Sequence, residues 1–213
     1  MELFFLILEL AGTLAFAASG AITGLKRGMD LFGVCTLGLT TAVGGGVIRD
    51  VILGNTPPAT FQDPIYALVA LGASLVLFLP GIRRVLMWDQ RLYDLSMLIL
   101  DSAGLGIFTV VGIRIAYGAT PAPTLFLLVF VGVVTGVGGG VLRDVLAGQT
   151  PYIFVKHVYA SASLAGALVC VGLWRVWGEV PATLGGTAAV LLIRLLSAHF
   201  RWNLPRTRPQ EDP

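Results

Sequence analysis

The sequence predicts an all-α membrane protein of seven transmembrane helices, built as two inverted three-helix repeats plus a seventh helix. Three observations carry that prediction. The 213 residues are 56% hydrophobic and only 12% charged, with a mean hydropathy of +0.86, whereas soluble domains carry about 25% charged residues. Seven apolar stretches approach the roughly 20 residues a helix needs to cross a bilayer. A seventeen-residue segment, Thr41–Pro57, returns as Thr135–Pro151 with twelve identities.

The stretches run Leu3–Gly24, Leu31–Leu53, Phe61–Leu79, Tyr93–Tyr117, Thr124–Ala147, Val158–Val176 and Ala182–Phe200. Each is continuously apolar rather than alternating, so the backbone satisfies itself in lipid as helices and not as a barrel. The first, opening "MELFF", lacks the basic leader of a signal peptide and is expected to stay as span 1. The whole chain, 1–213, then forms one transmembrane domain: repeat 1 over 3–80, repeat 2 over 93–177, and an extra helix over 182–200. Cys35 and Cys170 fall inside predicted spans without metal-type spacing and read as small packing residues. Trp174, Trp177 and Trp202 suit the interfacial belt.

Charge position sets the orientation. Lys26, Arg27, Arg83, Arg84, Arg91, Lys156, Arg201, Arg206 and Arg208 fall on one side, and Arg175 alone on the other. The positive-inside rule places the amino terminus outside and the carboxyl terminus in the cytoplasm of a multi-pass protein of the cell inner membrane. A net charge of +2 gives no reason to expect nucleic acid; the expected surroundings are membrane lipid.

The repeat extends beyond its signature. "ELAGTLAF" from Glu9 answers "DSAGLGIF" from Asp101, and Tyr66-Ala67 answers Tyr159-Ala160. Three spans per unit is an odd number, so the second unit enters the membrane upside down, and inverted repeats of this kind place a pathway or binding site near their pseudo-two-fold axis.

Within that site the sequence nominates Gly44, Gly45, Gly46, Arg49 and Asp50 with Gly138, Gly139, Gly140, Arg143 and Asp144. Each glycine costs about 1 kcal/mol relative to Ala inside a helix, so three together are expected to bend or unwind spans 2 and 5. The alternative is close helix packing, as in "GAITG" and "GVVTG"; a duplicated triplet beside an Arg-Asp pair favours a lined pathway. Intramembrane arginines are functional candidates. Neighbouring helix residues diverge by about 100°, so Arg49 and Asp50 are not expected to pair with each other. Depth instead matches Glu9 with Arg49 and Asp101 with Arg143. Asp50 and Asp144 are left to attract cations or to bond the Gly-Asn-Thr-Pro and Gly-Gln-Thr-Pro turns, which read as helix stops. Arg114 and Arg194 are expected to snorkel, and His157 and His199 to be interfacial. There is no nucleophile–base set, phosphate loop or aqueous domain, so no enzyme, cofactor or metal site is expected.

Seven spans, two inverted three-helix units and a duplicated GGG-x-x-R-D signature resemble the prokaryotic branch of the trimeric intracellular cation (TRIC) channel family, over essentially the whole chain. The resemblance implies a homotrimer with an ion pore in each protomer, lined chiefly by bent second and fifth helices. It also implies potassium, with some sodium, as the permeant ion. Carried across, the lining positions are Gly44–Gly46 with Arg49 and Gly138–Gly140 with Arg143. The hydroxyls of Thr41 and Thr135 and freed carbonyls would then replace part of a cation's hydration, with the arginines, held by acids, as gates or electrostatic barriers. The same duplicated domain is also assigned to small neutral amino acid (glycine) transport, in which the arginines would instead hold a carboxylate. The short tail, Pro205–Pro213, lacks the longer basic tail of the animal members, so their regulation does not carry over.

Overall fold

A computed structural model describes residues 1–155 and 158–202; Lys156, His157, Arg206 and Arg208 lie outside the described residues. Regular structure among the described residues is entirely helical. The first unit comprises α1 (Glu2–Lys26), α2 (Leu31–Leu53), α3 (Ala59–Gln62) and α4 (Ile65–Phe78), followed by α5 (Pro80–Trp88). The second comprises α6 (Gln90–Ala119), α7 (Leu125–Leu146), α8 (Tyr152–Val155) and α9 (Ala160–Trp177), and α10 (Glu179–His199) follows.

The two units use the same packing. In the first, α1 packs on α2 and α4, and α2 on α4; in the second, α6 packs on α7 and α9, and α7 on α9. They join through α2 against α7 and α1 against α6. The last long helix, α10, lies against α9 and α6, both of the second unit.

Local chemistry explains the boundaries. The Asp30 carboxylate accepts from the Gly33 amide (2.7 Å) at the start of α2, and the Thr124 hydroxyl accepts from the Leu127 amide (3.2 Å) at the start of α7. Both helices give way at the glycine of their repeated turn: Gly54 and Gly148 have φ of 75° and 65°, the left-handed region in which a side chain is strained. Asn55 and Gln149 then donate their amides to the carbonyls of Asp50 and Asp144 (2.8 and 2.9 Å).

Among the described residues six helices are long and apolar enough to cross a membrane, and a seventh span exists if α4 and α5 count as one across their 78° bend. The third span is therefore shorter than its apolar stretch. Asp63 and Pro64 separate α3 from α4, and the 14 residues of α4 rise only about 21 Å at 1.5 Å each. Leu79, before proline, takes an extended backbone, and Pro80 opens the next helix at its first turn.

Spans 2 and 5 differ from expectation at their triple glycines. Both helices run unbroken through Gly44–Gly46 and Gly138–Gly140, so neither triplet unwinds. The physical reason is packing. A β-carbon on Gly45 would fall inside 3.0 Å of the Thr135 carbonyl oxygen, and one on Gly139 inside 3.0 Å of the Thr41 carbonyl oxygen. Close helix contact stabilises what glycine propensity alone would loosen. Around this crossing the core is apolar, with Phe16, Ala42, Phe108 and Val111 on one side and Val110, Leu128, Val131 and Cys170 on the other.

Candidate functional site: two charged centres flanking a glycine crossing

Each signature builds the same small machine. In the first unit Arg49 Nε donates to Asp50 Oδ1 (2.8 Å), while Asp50 Oδ2 accepts from the Ala59 amide (2.9 Å) at the start of α3. In the second, Arg143 Nε donates to Asp144 Oδ1 (2.8 Å), while Asp144 Oδ2 accepts from the Tyr152 amide (2.8 Å) at the start of α8. The aspartates thus tie the Gly-Asn-Thr-Pro and Gly-Gln-Thr-Pro turns back onto their helices. This corrects the expectation that sequence neighbours cannot pair. The Cα–Cβ directions diverge, but the long arginine side chain folds back so that Nε, nearest the backbone, reaches the adjacent carboxylate.

The depth-matched pairs separate. Asp101 does meet Arg143: Arg143 Nη1 donates to Asp101 Oδ1 (2.7 Å) and also to the Ser19 hydroxyl. Glu9 does not bond Arg49. Its Oε2 accepts from the Tyr66 hydroxyl (2.6 Å), and its Oε1 lies 3.8 Å from Arg114 Nη1. The tyrosine hydroxyl occupies the place expected of the arginine.

The two centres differ in solvation. Asp101, Arg143, Asp144 and Ser19 are all 0% exposed, and Tyr159 reaches Asp101 Oδ1 with a long hydrogen bond of 3.4 Å. An ion pair so buried survives only because its members bond several partners at once. Glu9 and Arg49 instead line an open cavity of about 70 Å³ with Thr13, Gly46, Thr60 and Tyr66, polar and roomy enough for water. Beyond the buried centre two further cavities, of about 250 and 390 Å³, share Asp94 and Tyr152. Tyr152 lies outside the spans; burial pushes its phenol above the ordinary range, so it stays neutral at physiological pH. Its ring sits 5.0 Å from the Arg143 guanidinium.

Each glycine of a triplet has its own neighbour. Gly45 and Gly139 form the crossing, and Gly44 lies against the Leu142 side chain. Gly138 lies against Gly45. The third positions face the charges: Gly46 looks onto Arg49, and Gly140 onto the Tyr159 hydroxyl and Asp101 Oδ1. Thr41 and Thr135 donate their hydroxyls within their own helices, to the Leu37 and Val131 carbonyls (2.6 Å each), and pack against Gly20 and Gly112.

Five side chains at these centres fall outside the set that the sequence nominates. Ser19 carries no sequence signal beyond its small-residue surroundings. Tyr66 and Tyr159 carry one, since the repeat pairs them. Arg194, expected to snorkel, is instead buried beside an acid, which corrects that expectation; Arg114 is partly exposed and reaches the exposed Glu2 as well as Glu179. Arg114 Nε donates to Glu179 (2.6 Å) and its guanidinium lies 4.0 Å from the Phe5 ring. Arg194 is 5% exposed, with Nη2 3.7 Å from Asp101 Oδ2. A nearby acid at low dielectric holds this cation more effectively than distant headgroups would. His199 is exposed beside Phe200. No group of His, Cys, Asp and Glu among the described residues has metal-site geometry.

Comparison with known proteins places this arrangement. A family model described as glycine transporter matches residues 6–80 and 98–175. The UPF0126 inner membrane protein YadS of Escherichia coli (strain K12) is 38% identical over 200 residues, covering 92% of both chains. A UPF0126 membrane protein of Deinococcus radiodurans is 38% identical over 210 residues, covering 96% of this chain and 92% of its own. Among solved structures, a TRIC cation channel studied for the structural basis of its conductance superposes with a TM-score of 0.83 at 36% identity, over 97% of this chain and 98% of that one. The TRIC orthologue from Rhodobacter sphaeroides gives 0.85 at 32% identity, over 93% and 99%. With matching sequence and fold over nearly its full length, the chain belongs to the UPF0126 membrane proteins, the bacterial branch of the TRIC channel family.

Proposed function

We propose that the protein is a monovalent cation channel of the inner membrane, conducting potassium through a pathway in each protomer between α2 and α7. The observation that carries this reading is the buried Arg143–Asp101–Asp144 centre between an open polar cavity at Glu9 and Arg49 and the cavity of about 390 Å³ at Tyr152 and Asp94. In that reading the structure is a closed state, with Arg143 as the gate. A guanidinium fixed in a cation path opposes conduction by charge and by bulk, and its withdrawal removes both. Two of the solved TRIC structures to which the chain is similar are cation channels by name. The assembly is a homotrimer, and the amino terminus faces outward with the carboxyl terminus in the cytoplasm. The protein acts without catalysis and without a cofactor; its permeant ion is potassium, with sodium as a second.

A second reading rests on Arg49. Among the described residues its guanidinium bonds through Nε alone, leaving its outer nitrogens beside Gly46 and the 70 Å³ cavity. A small amino acid carboxylate suits such a fork, and the matching family model carries the description glycine transporter.

The experiment is a direct comparison in liposomes of purified protein, setting potassium flux without an added ionophore against uptake of labelled glycine. Voltage-dependent potassium flux without saturable glycine uptake supports the channel. Saturable glycine uptake without ion conductance overturns it and recasts the arginines as carboxylate ligands.

A further inference from the structure

Asp101 faces two buried guanidiniums from two different helices. Arg143 on α7 bonds Oδ1 at 2.7 Å, and Arg194 on α10 stands 3.7 Å from Oδ2. Oδ2 is buried and accepts no hydrogen bond from the described residues. Arg194 is aimed at it: its Nε donates to the hydroxyl of Ser102, Asp101's chain neighbour (3.3 Å), and its guanidinium lies 4.9 Å from the Tyr159 ring. A charge-assisted bond to Oδ2 needs an approach of only about 1 Å, since such bonds form near 2.7–2.9 Å.

The seventh helix supplies this arginine, so the repeat does not explain it. In the first unit the corresponding acid, Glu9, borders an open cavity, where water can solvate it when a partner leaves. Asp101 has no such opening, being 0% exposed. A gate that lifted Arg143 away would strand a buried carboxylate, one of the most costly events inside a protein.

Resting on the gate reading above, we propose that Arg194 is the receiving cation for Asp101: as Arg143 leaves Oδ1, Arg194 closes onto Oδ2, so the acid is never left unpaired. Arg194 is a positioning residue: it borders the 250 Å³ cavity beside Tyr152, while the ion path of this proposal runs through the 390 Å³ cavity, which Arg194 does not line. It governs how often the gate opens, while the current through an open pore is set elsewhere. α10 is thereby a working part of the gate and more than a lipid-facing cover.

Single-channel recording in planar bilayers tests this with Arg194→Gln, Arg194→Lys, Arg143→Gln and the double variant Asp101→Asn/Arg194→Gln. Expected are a fall in open probability of about tenfold or more for Arg194→Gln with unitary conductance unchanged, partial recovery with Arg194→Lys, and recovery in the double variant. A purely packing role would depend on shape, so Lys would be no better than Gln and the Asn change would restore nothing; that pattern overturns the proposal. Unchanged opening in Arg194→Gln with altered opening in Arg143→Gln overturns the handover and leaves the gate standing. Unchanged opening in both removes the gate reading itself. If Arg194→Gln does not assemble, the Lys and double variants, which keep the acid paired or neutral, decide between handover and packing by the same two comparisons.

Discussion

Gly45 of α2 and Thr135 of α7 meet backbone to backbone, so closely that no β-carbon fits on Gly45 against the Thr135 carbonyl oxygen. The inverted partner contact, Gly139 against the Thr41 carbonyl, completes the crossing on which both charged centres are hung.

Gly45→Ala and Gly139→Ala are therefore expected to destabilise the fold by on the order of 3 kcal/mol, at the severe end for overpacking, because rigid backbone must shift. Gly46→Ala is the matched control. Its nearest neighbour beyond the helix backbone is Arg49 Nη2 at 3.7 Å, an ordinary contact, and Ala gains about 1 kcal/mol of helix propensity. Thermal unfolding in detergent separates them: a large fall in Tm for the first two, none for the third.

On the proposed channel reading, Arg143→Ala is expected to raise potassium flux through loss of the gating guanidinium while the proposed trimer persists in mild detergent. It also leaves Asp101 and Asp144 without their shared partner, a loss of about 3–5 kcal/mol for a broken buried pair. Adding Asp101→Asn should recover much of that Tm decrease. Unaltered single-channel behaviour in Arg143→Ala would remove the residue from the mechanism.

Asp144→Asn and Asp50→Asn test the shared capping role. Each aspartate bonds an arginine Nε through one oxygen and a short-helix amide through the other. The amide variant loses the charge and must present a donor to a donor. Asp144→Asn is expected to cost more, about 3 kcal/mol, because Arg143 is sealed whereas Arg49 borders a cavity that admits water. Equal falls in Tm would show that solvation of the two centres does not differ.

Gly54→Ala and Gly148→Ala place a side chain at φ of 75° and 65° and are expected to cost about 1 kcal/mol each. Neither glycine has a neighbour within 4 Å for an added β-carbon to strike. A replacement by Asn, which tolerates this backbone better, should therefore restore most of the Tm.

Much of this architecture is legible from residue order. Apolar length marks the spans, the repeat announces inversion, and depth alone matches Asp101 with Arg143. Depth fails for Glu9 and Arg49, because two residues at one level of a membrane need not face each other, and Tyr66 lies closer. The Arg-Asp pairs escape a reading that treats side chains as short spokes, since arginine reaches around its own helix. The triplets do not break their helices because propensity describes a helix alone, while Gly45 and Gly139 are held by a neighbour. Arg194 carries no signal of its partner, since α10 belongs to neither repeat and its docking against α6 is a tertiary event.

In the proposed pathway the buried centre at Arg143 separates the cavity at Glu9 and Arg49 from that at Tyr152 and Asp94, which has an electrical consequence once water fills both. Water-filled spaces sustain little voltage drop, so most of an applied potential falls across the short sealed segment. On that reading Arg143 sits where the field is steepest, and one charge carried through the full drop is worth about 2.3 kcal/mol per 100 mV. A displacement of a few ångströms there would couple to membrane potential without the long charged helix that dedicated voltage sensors use.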